Sequence, residues 1–263
     1  MSRFKITIEY DGGRYAGWQV QRGEKTIQGA FFDACKKLFG EGKKFEFFGS
    51  GRTDAGVHAL AQIAHLDVDT TFSTERIRMG LNDGLPYDIN VLKVERAPET
   101  FHARHDAVER SYVYLISKRR TAFGKSNIWW IKDHLDYNEM RKAALVMRGR
   151  HDYASFTDKE AETTSTIVNI TGVDLYETED LIAIHITGSH FLWKMVRRMV
   201  GILVEVGRNN ITPEDVEKML EKYSSEPARR TAPASGLYLE RVYYKGEPTE
   251  RGRHIVPQIL RLK

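Results

Sequence analysis

Over residues 3–96 the hydrophobic period of the chain switches between 2 and 3.6 in one order: strand, helix, strand, strand, helix, strand. Few architectures accept that order. In residues 3–10, "RFKITIEY", Phe4, Ile6, Ile8 and Tyr10 share one face, and Arg3, Lys5, Thr7 and Glu9 share the other. That is the pattern of a half-buried strand. Asp11-Gly12-Gly13 then turns the chain. Thr26 opens a helix whose stripe is Ile27, Ala30, Phe31, Ala34, Cys35, Leu38 and Phe39, and Gly40 stops it. Strands at 44–49 and 62–68, a short helix at 74–82 and a strand at 89–96 complete the run. It is the split βαβ order of ferredoxin-like domains.

The remainder repeats the theme. Residues 110–117 are apolar on both faces, which predicts a central strand. Asp136 and Glu139 have capping-box spacing ahead of a stripe of Met140, Ala143, Ala144 and Met147. Strands are expected near 166–176 and 181–187. A helix over 191–206 places Phe191, Met195, Met199 and Leu203 near one face. Thr212-Pro213 is a favoured cap and first position for another, with Val216, Met219, Leu220 and Tyr223 inward. Strand 237–244 follows, and segments 121–135 and 246–263 are less regular. The expectation is an α+β protein of two ferredoxin-like (RRM-like) halves, 1–104 and 105–263. They share a mostly antiparallel sheet with a central cleft.

Several chemistries are excluded by what the chain lacks. Cys35 is its one cysteine, so there is no intramolecular disulfide and no multi-cysteine zinc site. It lies on the apolar helix stripe and reads as core. No apolar run has the length to span a bilayer. The start runs straight into a strand pattern with no secretory signal, so a cytoplasmic protein is expected. Gly23-Glu24-Lys25-Thr26 lacks the glycine spacing of a phosphate loop, Ser50 sits in no GxSxG elbow, and no dinucleotide fingerprint is present. Asp54 and His58, four apart, would share a helical face, yet no third metal ligand accompanies them. Chemistry without metal or cofactor is what remains.

Forty Lys and Arg against 36 Asp and Glu give a net charge of +4. The clusters Lys118-Arg119-Arg120, Arg197-Arg198, Arg229-Arg230 and Arg251-Gly252-Arg253-His254 would attract a polyanion if they share a surface. Each reads equally as a solvated basic face.

The segment Gly49–His58, "GSGRTDAGVH", sets one carboxylate beside Arg52 and among glycines. A guanidinium neighbour favours an ionised Asp54, fit to act as base or nucleophile. A turn aspartate bonding its own backbone is the plainer reading. In "ERSYVYLI", Tyr112 and Tyr114 stand on one strand face beside Arg110, a pairing that suits base stacking and phosphate contact, or ordinary strand packing. In "HFLWKMVRRMVG", an arginine leaving the helix is placed to anchor a phosphate or pair with a carboxylate.

"YDGGRYAGWQVQ", "KTIQGAFFDA", "GSGRTDAGVHAL", "NDGLPYDINV", "FHARHDAVERSYVY", "GRHDYASF", "FLWKMVRRMVG" and "APASGLYL" occur in this order through nearly the whole chain. In that ordered set the chain resembles the tRNA pseudouridine synthase A family. The resemblance implies the pseudouridine synthase fold and an isomerase acting on uridines 38, 39 and 40 of the tRNA anticodon arm. It implies a homodimer with one tRNA contacting both subunits, and no cofactor. By the same resemblance Asp54 is the catalytic aspartate and Arg52 helps position it. Tyr112 stacks on the target base, Arg197 pairs with the aspartate, and Leu237 lines the base pocket. Phe101 and Arg104 support the site or touch RNA, with Arg110 beside the stacking tyrosine. "NDGLP" departs from the family between Asn82 and Leu85, and the role of 121–134 is left open.

Asp54 is open to three routes: attack on the sugar, attack on the base, or removal of a sugar proton. Two other readings stand beside the enzyme. A non-catalytic RNA-binding module explains Tyr112 and the basic clusters but leaves "GRTDAG" without a purpose. A metal-dependent hydrolase on Asp54 and His58 lacks ligands. Within the synthase reading, the alternative is action at other tRNA positions or on other RNA.

Overall fold

In the computed structural model of the chain, residues 1–158 and 165–247 are described. The basic cluster at 251–254 lies outside them, as does most of the 246–263 tail. The chain is α+β and divides into two compact units. One is Met1–Val108 with Tyr238 and the described residues after it; the other is Glu109–Leu237. The C-terminal stretch joins the first unit because of a strand pairing described below, whereas a division at 104/105 assigns it to the second half.

The first unit contains β1 (Ser2–Tyr10), α1 (Ile27–Phe39), β2 (Phe45–Gly49), β3 (His58–Val68), α2 (Thr74–Gly84) and β4 (Ile89–Ala97). β1 pairs with β3 and β4, and β2 pairs with β3, all antiparallel. The resulting order β4-β1-β3-β2 is that of a split βαβ domain. Phe4, Ile6, Ile8 and Tyr10 are buried on one face of β1 as the alternation requires. Thr26 caps α1 by accepting the Gly29 N–H, and Gly40 ends the helix at φ +99. Ile27, Phe31, Ala34 and Cys35 are fully buried on its inner face. Each large side chain so buried contributes about 1.5–3 kcal/mol. Burial also pushes the Cys35 thiol up to about 12, which leaves it a core thiol.

One strand of this unit starts well before the sequence predicts. β3 begins at His58, four residues before 62, because β1 pairs with it as far as Ala59. On its other side Tyr238 and Leu239 of β10 (Leu237–Tyr244) pair in parallel with His58 and Ala59. Long-range pairing of this kind extends a strand past its own alternation.

The second unit contains β5 (Ala107–Ser117), β6 (Trp129–Trp130), α3 (Tyr137–Val146), β7 (Gly149–Asp152), β8 (Ile167–Glu177), β9 (Leu181–Gly188), α4 (Met195–Gly207), α5 (Pro213–Glu221) and α6 (Glu226–Arg229). β7, β8 and β9 form an antiparallel meander whose last strand pairs antiparallel with β5. β6, within the irregular 121–135 segment, pairs in parallel with β5. Residues 113–116 of β5 are fully buried, as a central strand demands. Asp136 caps α3 by accepting the Asn138 and Glu139 N–H groups, while Glu139 pairs with Lys142. A full capping box forms instead at Thr212 and Asp215 of α5. Tyr223, expected inward, lies beyond the end of α5 and is 51% exposed.

α4 begins at Met195 rather than 191. Lys194 sits in the left-handed region at φ +59, which no α-helix continues through. The apolar period therefore reads correctly from 195 onward and misleads before it.

Candidate active site

In the first unit, residues 50–57 link β2 to β3 and carry Asp54. The link is tied along its length. Ser50 N–H donates to the Ile63 carbonyl at 2.7 Å, and Ser50 Oγ donates to Gln62 Oε1 at 2.6 Å. Gln62 Nε2 in turn donates to the Gly51 carbonyl at 3.2 Å. Trp18 N–H donates to the Thr53 carbonyl at 3.0 Å, and Gly56 N–H to the Tyr15 carbonyl at 3.2 Å. Val57 N–H closes a turn onto the Asp54 carbonyl at 3.1 Å, with Gly56 at φ +77 supplying the left-handed position. Asp54 is half-buried at the head of this turn, and Arg52 is exposed two residues earlier.

A turn, not a helix, spans Asp54–Val57, so Asp54 and His58 do not share a helical face. His58 is 1% exposed at the start of β3. Its Nδ1 accepts the Gly12 N–H at 3.1 Å, and its ring stacks on Tyr238 at 4.7 Å. Asp11 Oδ1 lies 3.0 Å from the same nitrogen. Among the described residues no group of three His, Cys, Asp or Glu side chains is arranged to hold a metal ion.

Phe101 and Arg104, also in this unit, fare differently from each other. Phe101 is half-buried, packs its ring 5.1 Å from Tyr244, and lends its carbonyl to Arg3 Nη1 at 2.7 Å. Arg104 is exposed. It stands by a histidine cluster in which the His65 and His102 rings are 4.7 Å apart and His102 and His105 are 4.2 Å apart.

In the second unit, β5 presents Arg110, Tyr112 and Tyr114 on one face. Arg110 Nη1 donates to the Ser189 carbonyl at 3.1 Å. Tyr112 is half-buried and meets Phe191 edge-to-face at 5.1 Å. Phe191 is available for that contact because α4 starts after it. Tyr114 is different: it is fully buried, and burial pushes its hydroxyl pKa up. Its ring has no face left for a base.

On α4, Arg197 is half-buried and its Nε donates to the Ala232 carbonyl at 2.7 Å. Ala232 N–H donates back to the Arg197 carbonyl at 3.0 Å. These bonds hold the start of the loop that leads, through a 3-10 turn at Ala234–Gly236, to Leu237, which is 5% exposed. Arg198, its neighbour, is 3% exposed and bonded to Asp158. Burial opposes ionisation of that carboxyl, but Arg198 and Lys194 outweigh it and hold its pKa below the ordinary value. The helix thus splits a basic pair, Arg198 going to structure and Arg197 to the loop before Leu237.

Most members of the other described clusters have acidic partners. Lys118 pairs with Glu177, Arg119 with Asp180, and Arg230 with Glu226. They are a poorer polyanion track than their sequence suggests.

The sequence profile of the tRNA pseudouridine synthase family matches residues 6–106 and 124–245. The chain belongs to this family. The matched residues take in Asp54, Phe101, Arg104, Arg197 and Leu237, and pass over the strand that carries Arg110 and Tyr112. The tRNA pseudouridine synthase A of Nitrobacter hamburgensis is 41% identical over 247 residues, covering 93% of this chain and 100% of that protein. That of Afipia carboxidovorans is 41% identical with the same coverage. The tRNA pseudouridine synthase A 2 of Clostridium tetani is 37% identical over 244 residues, 91% of this chain and 98% of its own. The tRNA pseudouridine synthases isomerise uridine to pseudouridine in tRNA, and this chain is an isomerase of that kind. Among solved structures, a chain of a Cbf5-Nop10-Gar1 complex is similar at a TM-score of 0.39 and 9% identity, over 78% of this chain and 45% of that one.

Sequence reading passes over the residues that hold the Asp54 loop. Tyr10, Tyr15, Trp18, Thr53 and Gln62 all bond to it or within it. The available signal is the density of aromatic residues and glycines in "YDGGRYAGWQ", too many for a plain turn.

Proposed function

We propose that the chain converts uridines 38, 39 and 40 of the tRNA anticodon arm to pseudouridine, with Asp54 as the catalytic carboxylate. The observation that carries this reading is the tied loop. A half-buried carboxylate on a turn bonded from β3 and from the Tyr15–Trp18 segment is preorganised for chemistry. A solvent-facing turn aspartate needs no such support.

The physical steps follow. The target base leaves its stack at a cost of a few kcal/mol. Tyr112 offsets roughly 1–3 kcal/mol of that by stacking. Asp54 acts ionised on the nucleotide, the glycosidic bond breaks, the uracil turns, and a C–C bond forms at C5. Atoms are rearranged with none gained or lost, so the reaction itself needs no redox partner. Arg197 pairs with the carboxylate and keeps it charged as water is excluded, with Arg52 the nearest cation in the loop. Leu237 lines the base pocket, Arg110 and Arg104 meet phosphate, and Phe101 supports the site. The working form is a cytoplasmic homodimer in which one tRNA touches both subunits. Among the described residues no helix is long and apolar enough to cross a membrane.

The test uses purified protein and an unmodified tRNA transcript without metal or nucleotide. Pseudouridine is mapped by carbodiimide labelling and primer extension, with Asp54→Asn in parallel. Stops confined to the anticodon arm and absent with the variant are expected. Turnover by the variant near the wild-type rate overturns the assignment of Asp54, and stops elsewhere overturn the choice of positions.

A further inference from the structure

We propose that the segment Tyr10–Trp18 is a clamp that sets the position of Asp54, with the Tyr10 hydroxyl as a positioning group for the reaction. The inference rests on Asp54 as the catalytic carboxylate. Tyr10 is the last residue of β1 and only 4% exposed. Its hydroxyl lies 2.8 Å from Thr53 Oγ1 in a buried contact, and Thr53 is itself 6% exposed. Trp18, whose ring centroid is 6.1 Å from that of Tyr10, holds the Thr53 carbonyl through its N–H at 3.0 Å. Thr53 is therefore gripped by side chain and by backbone, one peptide bond before Asp54.

The two backbones also touch on either side of the turn. A Cβ at Gly17, where φ is +101, would stand 2.6 Å from the Thr53 carbonyl oxygen. A Cβ at Gly12 would stand 1.9 Å from the Val57 carbonyl oxygen. Contacts that close leave the 53–57 backbone little room to shift. The clamp has its own anchors. Asp11 N–H donates to the Asp88 carbonyl at 2.9 Å, and Tyr15 Oη donates to Asp88 Oδ1 at 2.6 Å. The Gly17 carbonyl accepts the Ile27 N–H of α1 at 3.1 Å. Segment 10–18 thus couples the Asp54 turn to the first helix and to the residue before β4. Misplacing a reacting group by 1 Å can cost about 100-fold in rate, so a clamp of this kind acts on turnover more than on affinity.

The experiment compares Tyr10→Phe, Thr53→Val, Thr53→Ser, the Tyr10→Phe/Thr53→Val double variant and Asp54→Asn. Each is assayed for single-turnover pseudouridine formation at saturating enzyme, for tRNA Kd and for Tm. Tyr10→Phe and Thr53→Val are each expected to slow single turnover about tenfold with Kd within about twofold, the pattern of a lost orienting contact. Thr53→Ser, which keeps the hydroxyl, is expected near the wild-type rate. The double variant is expected to be no slower than either single, because both remove the same bond. Wild-type turnover by Tyr10→Phe, or multiplying effects in the double variant, overturns the clamp. So does a rate loss shared by Thr53→Ser. If Tyr10→Phe does not fold, Thr53→Val against Thr53→Ser decides alone. An inactive Asp54→Asn beside an unaffected Tyr10→Phe fails the clamp only, whereas an active Asp54→Asn fails the reading beneath it.

Discussion

The hydroxyl of Tyr114 donates to the carbonyl of Pro233 at 2.8 Å, joining residues 119 apart in the chain. Tyr112 stands two positions earlier on the same strand face, half-buried against Phe191. The two tyrosines look alike in sequence, and burial gives them different work. Tyr114→Phe is expected to lose about 1 kcal/mol, the net worth of one hydrogen bond, and to lower Tm by about 2–4 °C. Tyr112→Ala is expected to weaken tRNA binding or turnover by the roughly 1–3 kcal/mol of a lost stack, with a smaller change in Tm. Thermal unfolding and single-turnover assays on both variants check the division. Equal losses of activity at equal Tm would place both rings at the substrate.

The period-2 and period-3.6 runs locate nearly every long element, because each buries one face and the face is written in every second or every third and fourth residue. Element starts are less legible. His58 joins β3 through its partner Tyr238 on β10, about 180 residues away, and no local pattern reports a partner that far off. Phe191 fits the apolar stripe of α4 yet precedes the helix, since the left-handed Lys194 is a backbone state the stripe does not encode. The Asp54 segment is legible as an ordered family motif. What holds the Asp54 loop is not, because Tyr10, Trp18 and Gln62 reach it through bonds between distant parts of the sequence.

Gly201 lies in the middle of α4, where a Cβ would stand 1.5 Å from the Arg230 carbonyl oxygen. Backbone cannot yield as a flexible side chain does. Gly201→Ala is expected to destabilise by about 1–3 kcal/mol or more, although alanine is the better helix former. Gly42, with nothing within 4 Å of its Cβ position, is the control, and Gly42→Ala is expected to stay within about 0.5 kcal/mol. Urea denaturation of the pair separates steric conflict from propensity. A Gly201→Ala protein as stable as the wild type would mean that α4 and the 230 loop can move apart at little cost.

Arg104 is exposed, whereas Arg198 is buried on Asp158. The two should therefore respond differently in tRNA binding. If Arg104 meets a phosphate, Arg104→Ala reduces the slope of log K against log salt by about 1. Arg198→Ala is expected to leave the slope unchanged and to lower stability by about 1.5–3 kcal/mol, the worth of a hydrogen bond to a charged group, since Asp158 is one-third exposed and keeps Lys194. Filter binding across a salt series reads the first effect and denaturation reads the second. A reduced slope with Arg198→Ala and none with Arg104→Ala would exchange their roles.

His65, on β3, is 1% exposed, and its Nδ1 accepts the Ala103 N–H at 3.2 Å. Burial, then the Arg3 charge and His102, lower its pKa from 6.5 to about 4, against opposing pulls from Asp67 and Asp106. In the unfolded chain the ring takes up a proton near pH 6.5, and in the folded protein only near 4. Between those values the unfolded state binds more protons, so stability falls as the pH drops through this window and is unaffected by His65 above it. The loss from this one group between pH 7.5 and 5 is about 2 kcal/mol. His102, whose pKa is lowered first by burial and then by His105, adds in the same direction. His65→Gln removes the titrating ring, so its stability is expected to change less over the same range. Urea midpoints at the two pH values for both proteins give the answer. Parallel losses would mean that the folded protein accommodates a protonated His65, with the ring moving away from Arg3 to do so.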